Sequence, residues 1–283
     1  MPSSRARSFQ RLQQAGIPLS RYAVNVGCND GVTIDPVYEL IQAGWSSLCI
    51  EPSPLASVAK IELGKVATSD RVQVHNGRLE VGNVAALFDR YKVPYKDVDG
   101  GVDFIKLDID NIDAYLMDHV LSVARPKLFQ IEYNVRFPPP VHFTVDFPNT
   151  YAFKGDYHCR KFGTSLEFLD KLVGRKHGYV AIYGEVNDVW FVDRQYLHAF
   201  GRPPSTTELY CDSTLREAWI DTMGFFFAPP NKDRNALALV LGDAARAAKA
   251  ISTWMINTPD QPRCNPGKEW AFGITVPDPD AAK

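Results

Sequence analysis

The sequence is short of the features that define several protein classes. Its 283 residues hold five cysteines, at Cys28, Cys49, Cys159, Cys211 and Cys264, with no CxxC pair among them. That scatter argues against a cysteine-built zinc site or a thioredoxin-type motif, and it reads as reduced thiols in a cytosol-like compartment. No apolar run exceeds seven residues, the length of 236–242, where a membrane-crossing helix needs about 20. No membrane association is therefore expected. Charge of one sign is not in excess: 31 Lys plus Arg stand against 33 Asp plus Glu, a net of −2. That balance gives no basic footprint for nucleic acid. The dinucleotide pattern GxGxxG and the Walker pattern GxxxxGK[ST] are both missing. So is a glycine-flanked serine nucleophile, since Ser165 lies in FGTSL and reads as the start of a helix. What remains is an ordinary globular composition, 45% hydrophobic and 23% charged. The chain is long enough to bury a core without metal or disulfide.

Along the chain, short apolar runs alternate with helical patterns. YAVNVG (22–27), SLCI (47–50), VQVH (72–75), FIKLD (104–108) and LFQIE (128–132) read as strands. Asp35-Pro36 reads as the N-cap and first residue of a helix ending at Gly44. Further helical stretches fall at 54–63, 84–91 and 112–123. Strands alternating with helices predict a parallel sheet covered on both faces. A helix over 164–177 and two strands, 179–183 and 189–193, then close the domain as an antiparallel hairpin. The expected fold is a Rossmann-like, seven-stranded, mostly parallel α/β sheet over 22–195. An N-terminal arm or helix (1–21) precedes it, and a helical C-terminal appendage (196–283) is expected to pack on it or to form a homodimer contact. Residues 1–22 carry Arg5, Arg7, Arg11 and Arg21 and no acid. That composition admits a targeting segment as the alternative to the arm.

The most informative stretch is Val24 to Gly31, VNVGCNDG. In an open α/β sheet, ligands sit beyond the carboxyl ends of the strands at the switch point, and a glycine loop lets backbone approach them. This loop is GxxxG, which suits a ligand without a pyrophosphate. Asn29 and Asp30 add acceptors suited to an amino group. Glu51 ends the second strand, 20 residues after Gly31, where a carboxylate can take both ribose hydroxyls of a nucleoside. A plain tight turn and a solvated Glu51 are the alternative.

VNVGCNDG, then LCIEPSP, then DFIKLDIDNID resembles the cofactor-binding series of class I S-adenosylmethionine-dependent methyltransferases. GTSLEFLDKL and GYVAIYGEVNDVWFV resemble the last helix and hairpin of that fold. KLDIDNID is similar to the KxDxEGxE segment of FkbM-type methyltransferases, with Asn111 where that family has Gly and Ile112-Asp113 for its Ala-Glu. The resemblance implies that Asn25, Gly27, Asn29, Asp30 and Gly31 cradle the methionine part of S-adenosyl-L-methionine. It further implies that Glu51 holds the ribose, that Pro52 and Ser53 flank the adenine, and that Asn76-Gly77 lie at the adenine edge. Asp108 would face the cofactor amino group or the acceptor. The implied activity is methylation of a small-molecule or sugar hydroxyl by a cytoplasmic enzyme. A non-catalytic protein that keeps the fold for binding or assembly is the alternative.

Asp108, Asp110 and Asp113 cluster after the fourth strand, and Glu132 and Asn134 after the fifth. Such a rim reads in three ways. Asp108, Asp110 and Glu132 could hold a divalent cation such as Mg or Mn. Asp108 or Glu132 could be a general base, with Asp110 and Asn134 against the substrate. The acids could also simply cap the following helix. His158, in a loop expected to return to the rim, is a further candidate base.

Overall fold

A computed structural model describes residues 4–33, 35–96, 101–109, 112–134, 137, 139–146, 163–185, 187–212 and 271–275. Helix α1 (Ser4–Gln14) leads into β1 (Tyr22–Val26). The order continues α2 (Pro36–Gln42), β2 (Ser46–Glu51), α3 (Leu55–Gly64), β3 (Val72–Asn76), α4 (Val84–Arg90), β4 (Phe104–Leu107), α5 (Asp113–Val123) and β5 (Leu128–Glu132). Then come β6 (His142–Asp146), α6 (Leu166–Leu169), β7 (Tyr179–Glu185), β8 (Asp188–Asp193), α7 (Thr206–Asp212) and β9 (Ala271–Thr275). Seven strands form one sheet in the order β3-β2-β1-β4-β5-β8-β7. The first five are mutually parallel, and β8 runs antiparallel to both β5 and β7. This is the Rossmann-like mostly parallel sheet with a terminal antiparallel pair that the strand and helix alternation predicts.

The elements follow from local chemistry. Asp35 caps α2 by accepting from the Val37 N–H at 2.7 Å, and Pro36 sits where its missing N–H costs nothing. Ser165 caps α6 by accepting from Phe168 N, and the same oxygen takes Phe143 N at 2.9 Å. The helix expected over 164–177 is α6 continued by a π-helical stretch, Asp170–Arg175.

Each sheet face carries its own core. Beneath α4, α5 and α6, Val26, Leu107, Phe129, Ile131 and Phe191 pack with Phe88, Met117 and Leu169. Beneath α1, α2 and α3, Ala23, Phe104, Leu128 and Trp190 pack with Phe9, Leu12, Ile41 and Leu63. There Phe104 stacks on Trp190 at 4.7 Å, and Phe9 meets Trp45 edge-on at the same distance. Phe9 and Leu12 are both buried, so 4–14 are not a loose arm but a helix seated on the sheet. Leu209 of α7 is likewise buried in the other core.

Two features depart from expectation. Strand β6, which the sequence pattern does not single out, pairs antiparallel with β9 in a separate two-stranded sheet. The region after 195 therefore contributes a strand as well as helix. Short runs such as HFTVD carry no partner information, so only the folded chain reveals the pairing. Most of the helical appendage expected over 196–283, with its helical patterns at 215–222 and 233–256, lies outside the described residues.

Candidate active site

The strand order places β1 and β4 side by side while their following helices lie on opposite faces. A crevice opens beyond their carboxyl ends, at the switch point. The GxxxG loop lines one wall. Gly27 has φ +76° and Gly31 φ +74°, and Asn29 joins them at φ +53°. A Cβ at Gly27 would collide with the Asp108 carbonyl oxygen. This glycine is thus demanded by the close approach of the β1 loop to the end of β4, before any ligand is considered.

Glu51 is buried, and its two oxygens bind the two loops that flank it. One oxygen accepts from Asn29 N at 3.0 Å and the other from Ser53 N at 2.9 Å. Each retains a second lone pair for a hydroxyl donor. Asn76 ends β3 opposite Glu51 and is exposed, and Gly77 N donates to the Glu51 carbonyl at 3.1 Å. Pro52 is exposed and Ser53 half-buried beside them. Asp30, read as an acceptor for an amino group, accepts from Val32 N, Thr33 N and the Thr33 hydroxyl. The Thr33 hydroxyl and the two amides hold its carboxyl below the usual range. Its side chain shapes the loop.

Cys28 and Cys49 are joined by a disulfide across neighbouring strand ends, with their Cα atoms 5.8 Å apart. The expectation of reduced thiols fails for this pair. Twenty-one positions separate them in sequence, and parallel pairing of β1 with β2 brings them together. Cysteine usage then no longer argues for a cytosol-like compartment.

The second wall is a polar patch on one face of the sheet. Asn25, Lys106, Gln130 and Trp190 lie in register across β1, β4, β5 and β8. One pleat further on, Glu132 pairs with Asp188, beside Asp108. Lys106 is buried. Its ammonium donates to the Gly27 carbonyl at 3.0 Å and pairs with Asp108 at 3.0 Å. Burial works to lower its pKa, but the Asp108, Asp35 and Asp188 carboxylates outweigh burial and raise it. Burial in turn raises Asp35, against the Lys106 charge and the 2.6 Å hydrogen bond from Asn25 Nδ2. Asp188 is pushed up to about 6, first by burial and then by the Asp108 charge. Gln130 Nε2 donates to it at 2.6 Å.

The structure thus brings Asn25, Gly27, Asn29, Glu51 and Asp108 to one crevice, with Glu132 on its rim. Glu132 accepts from Asn187 Nδ2. Asn134 is buried, and its backbone N–H donates to Thr164 O at 2.6 Å, so it belongs to the turn out of β5. Asp113 turns inward at the start of α5 and accepts from Ile109 N at 2.8 Å, tying the helix start back to the segment after β4. Asp110 and His158 lie outside the described residues. Among the described residues, no group of three or more His, Cys, Asp or Glu is placed to hold a metal ion. Of the residues read as a cation set, Asp108, Asp110 and Glu132, the second lies outside the described residues. Sequence reading missed Lys106, Gln130 and Asp188 as site residues. Strand alternation puts Lys106 and Gln130 on the face of Asn25, a signal available in the sequence. Asp188 enters only because β8 inserts beside β5.

No protein-family model and no curated protein matches this sequence. Among solved structures it is similar to an O-methyltransferase family protein from Burkholderia thailandensis, at 11% identity and a TM-score of 0.38. That match covers 66% of this chain and 56% of that one. It is similar to the O-methyltransferase from Bacillus cereus in complex with SAH, at 14% identity, 68% and 91% coverage, and a TM-score of 0.36. It is also similar to the O-methyltransferase TomG from Streptomyces achromogenes in complex with SAM, at 13% identity, 68% and 90% coverage, and a TM-score of 0.35. Likeness at this level assigns neither activity nor substrate. Among the described residues, no helix is long and apolar enough to cross a membrane.

Proposed function

We propose that this chain is an S-adenosyl-L-methionine-dependent methyltransferase acting on a hydroxyl of a small molecule or sugar. The observation that carries the reading is Glu51. It is a buried carboxylate at the end of β2, locked by Asn29 N and Ser53 N at the mouth of the switch-point crevice, with lone pairs free for two hydroxyls. The KLDIDNID segment supports the FkbM-type variant, because it supplies both Lys106 and Asp108 of the opposite wall. The bound cofactor would supply a methyl group on a cationic sulfur, so the protein needs no covalent intermediate. Its task is alignment: Glu51 fixes the ribose end, the GxxxG loop gives close backbone contact, and Asp108 receives the amino group. The acceptor lies over the ends of β4 and β5.

Calorimetry tests this directly. S-adenosylmethionine or S-adenosylhomocysteine is expected to bind the wild-type protein, and Glu51→Ala to lose at least about tenfold in affinity, since charge-assisted hydrogen bonds are each worth about 1.5–3 kcal/mol. A wild type that binds neither compound would overturn the assignment.

A further inference from the structure

We propose that Asp188, carried into the sheet by the closing hairpin and held by Gln130, faces the methyl-transfer space and takes the proton of the acceptor hydroxyl. The proposal rests on the methyltransferase reading and specifies its chemistry. Asp188 stands in the register row of Glu132, at the strand ends that bound the crevice on the side away from Glu51. Glu132 is engaged by Asn187, whereas Asp188 is tethered by the single amide of Gln130 at 2.6 Å.

Beneath it the floor is incompletely satisfied. Asn25 Oδ1, Gln130 Oε1 and Trp190 Nε1 are buried without a hydrogen-bond partner among the described residues, and all three belong to one register row with Lys106. Buried polar groups are nearly always paired, so a row of orphans beside a half-buried acid marks a place where water or a polar ligand completes the set. The charged groups facing Asp188 are Asp108 and Lys106 from β4 and Glu185 from β7. Glu132 is its neighbour on β5. Among the described residues the acids around Asp188 outnumber the cation Lys106, so the space disfavours a carboxylate or phosphate acceptor and suits a neutral hydroxyl.

The step balances without a further reagent. The acceptor oxygen attacks the methyl carbon in line with sulfur. The carbon–sulfur bond breaks with its pair left on sulfur, giving a neutral thioether. A carbon–oxygen bond forms, and the hydroxyl proton passes to the Asp188 carboxylate and on to solvent. A carboxyl held near 6 is ionised at pH 7 and yet basic enough for that transfer.

The full chain, labelled with 13C-carboxyl aspartate, tests the placement without knowledge of the acceptor. The resonance lost in Asp188→Asn identifies the group. Its titration midpoint is expected to fall by about one pH unit or more with S-adenosylmethionine bound, relative to S-adenosylhomocysteine, because only the former carries a positive sulfur within several ångströms. Equal midpoints in two forms that calorimetry shows to be loaded would overturn the proposal. If neither compound binds, the methyltransferase reading falls, and this proposal with it. Proton transfer itself is read from labelled methyl passing into a small-molecule extract. An acid limb in the wild type at the midpoint that the S-adenosylmethionine-bound form shows, lost in Asp188→Asn with turnover down on the order of a hundredfold, supports it. A variant that keeps both turnover and limb overturns it.

Discussion

Two buried lysines mark the two ends of the central strands, and their surroundings differ. Lys127, where the chain enters β5, pairs with Asp103 at 2.7 Å. Asp103 also accepts from Arg21 N at 2.6 Å and from the Ser20 hydroxyl at 3.0 Å. One cation meets one anion, and the anion's remaining lone pairs are filled by the segment entering β1. Lys106, near the exit of β4, is shared among Asp108, Asp35 and Asp188, and its row neighbours Asn25 and Gln130 each leave an oxygen unpaired. The first arrangement is closed and clasps the strands. The second is open and carries excess negative charge at the crevice. A buried polar network left incomplete is costly, so the contrast between the surroundings of Lys106 and of Lys127 points to the exit end as the site.

The largest expected effect comes from breaking the closed pair. Asp103→Ala leaves the Lys127 ammonium buried without a partner and should cost about 3–5 kcal/mol in urea unfolding. A loss under about 1 kcal/mol would erase the contrast between the two ends.

Asp188→Asn should act in the opposite direction. The folded-state pKa is raised to about 6 from 3.8, so between these values the folded chain holds a proton that the unfolded chain has lost. Stability through this group therefore falls as pH rises across that window. Removing the charge should stabilise the protein at pH 7 by about 2–3 kcal/mol, taking roughly 1.4 kcal/mol for each pH unit of separation. The measurement is the difference in melting behaviour between variant and wild type from pH 4 to 7. A constant difference would mean that Asp188 is not raised.

Lys106→Met is expected to cost less than the break at Asp103, about 1–2 kcal/mol at pH 7. The Asp108 side chain is 37% exposed and can return to water, and Asp35 and Asp188 can take up protons. Denaturation at pH 5 should narrow the loss, and a wider loss there would argue against an open cluster. The smallest effect belongs to the surface. Lys65→Ala removes an ion pair with Glu62 whose lysine is 61% exposed, and should change stability by under about 0.5 kcal/mol.

Much of this arrangement is legible in the sequence, for identifiable reasons. The strands YAVNVG, SLCI, FIKLD and LFQIE are read correctly because strands buried on both faces are mostly apolar, with at most an isolated polar residue inside the run. Asp35-Pro36 and Ser165 are read correctly because capping is a local matter of side chain and backbone. That Glu51 lies against the GxxxG loop is legible because their spacing follows from strand and helix lengths. Asp30 and Asp113 are harder, since a carboxylate in the right place can serve its own turn or cap, and only coordinates show which way it points. The Cys28–Cys49 bond and the pairing of β6 with β9 join segments with no local signal between them.

The sequence by itself determined the alternation of elements, the hairpin that closes the sheet, and the loop and acid that bound one wall of the crevice. Each is encoded within a few residues by hydrophobic period, turn and cap. Tertiary structure alone decided which charges share a buried space. Asp35, Lys106, Asp108 and Asp188 come from three segments, and the last joins them because β8 inserts between β5 and β7. The physical reason is range: periodicity and capping act over three or four residues, while desolvation and charge act through space between strands that the chain itself keeps far apart.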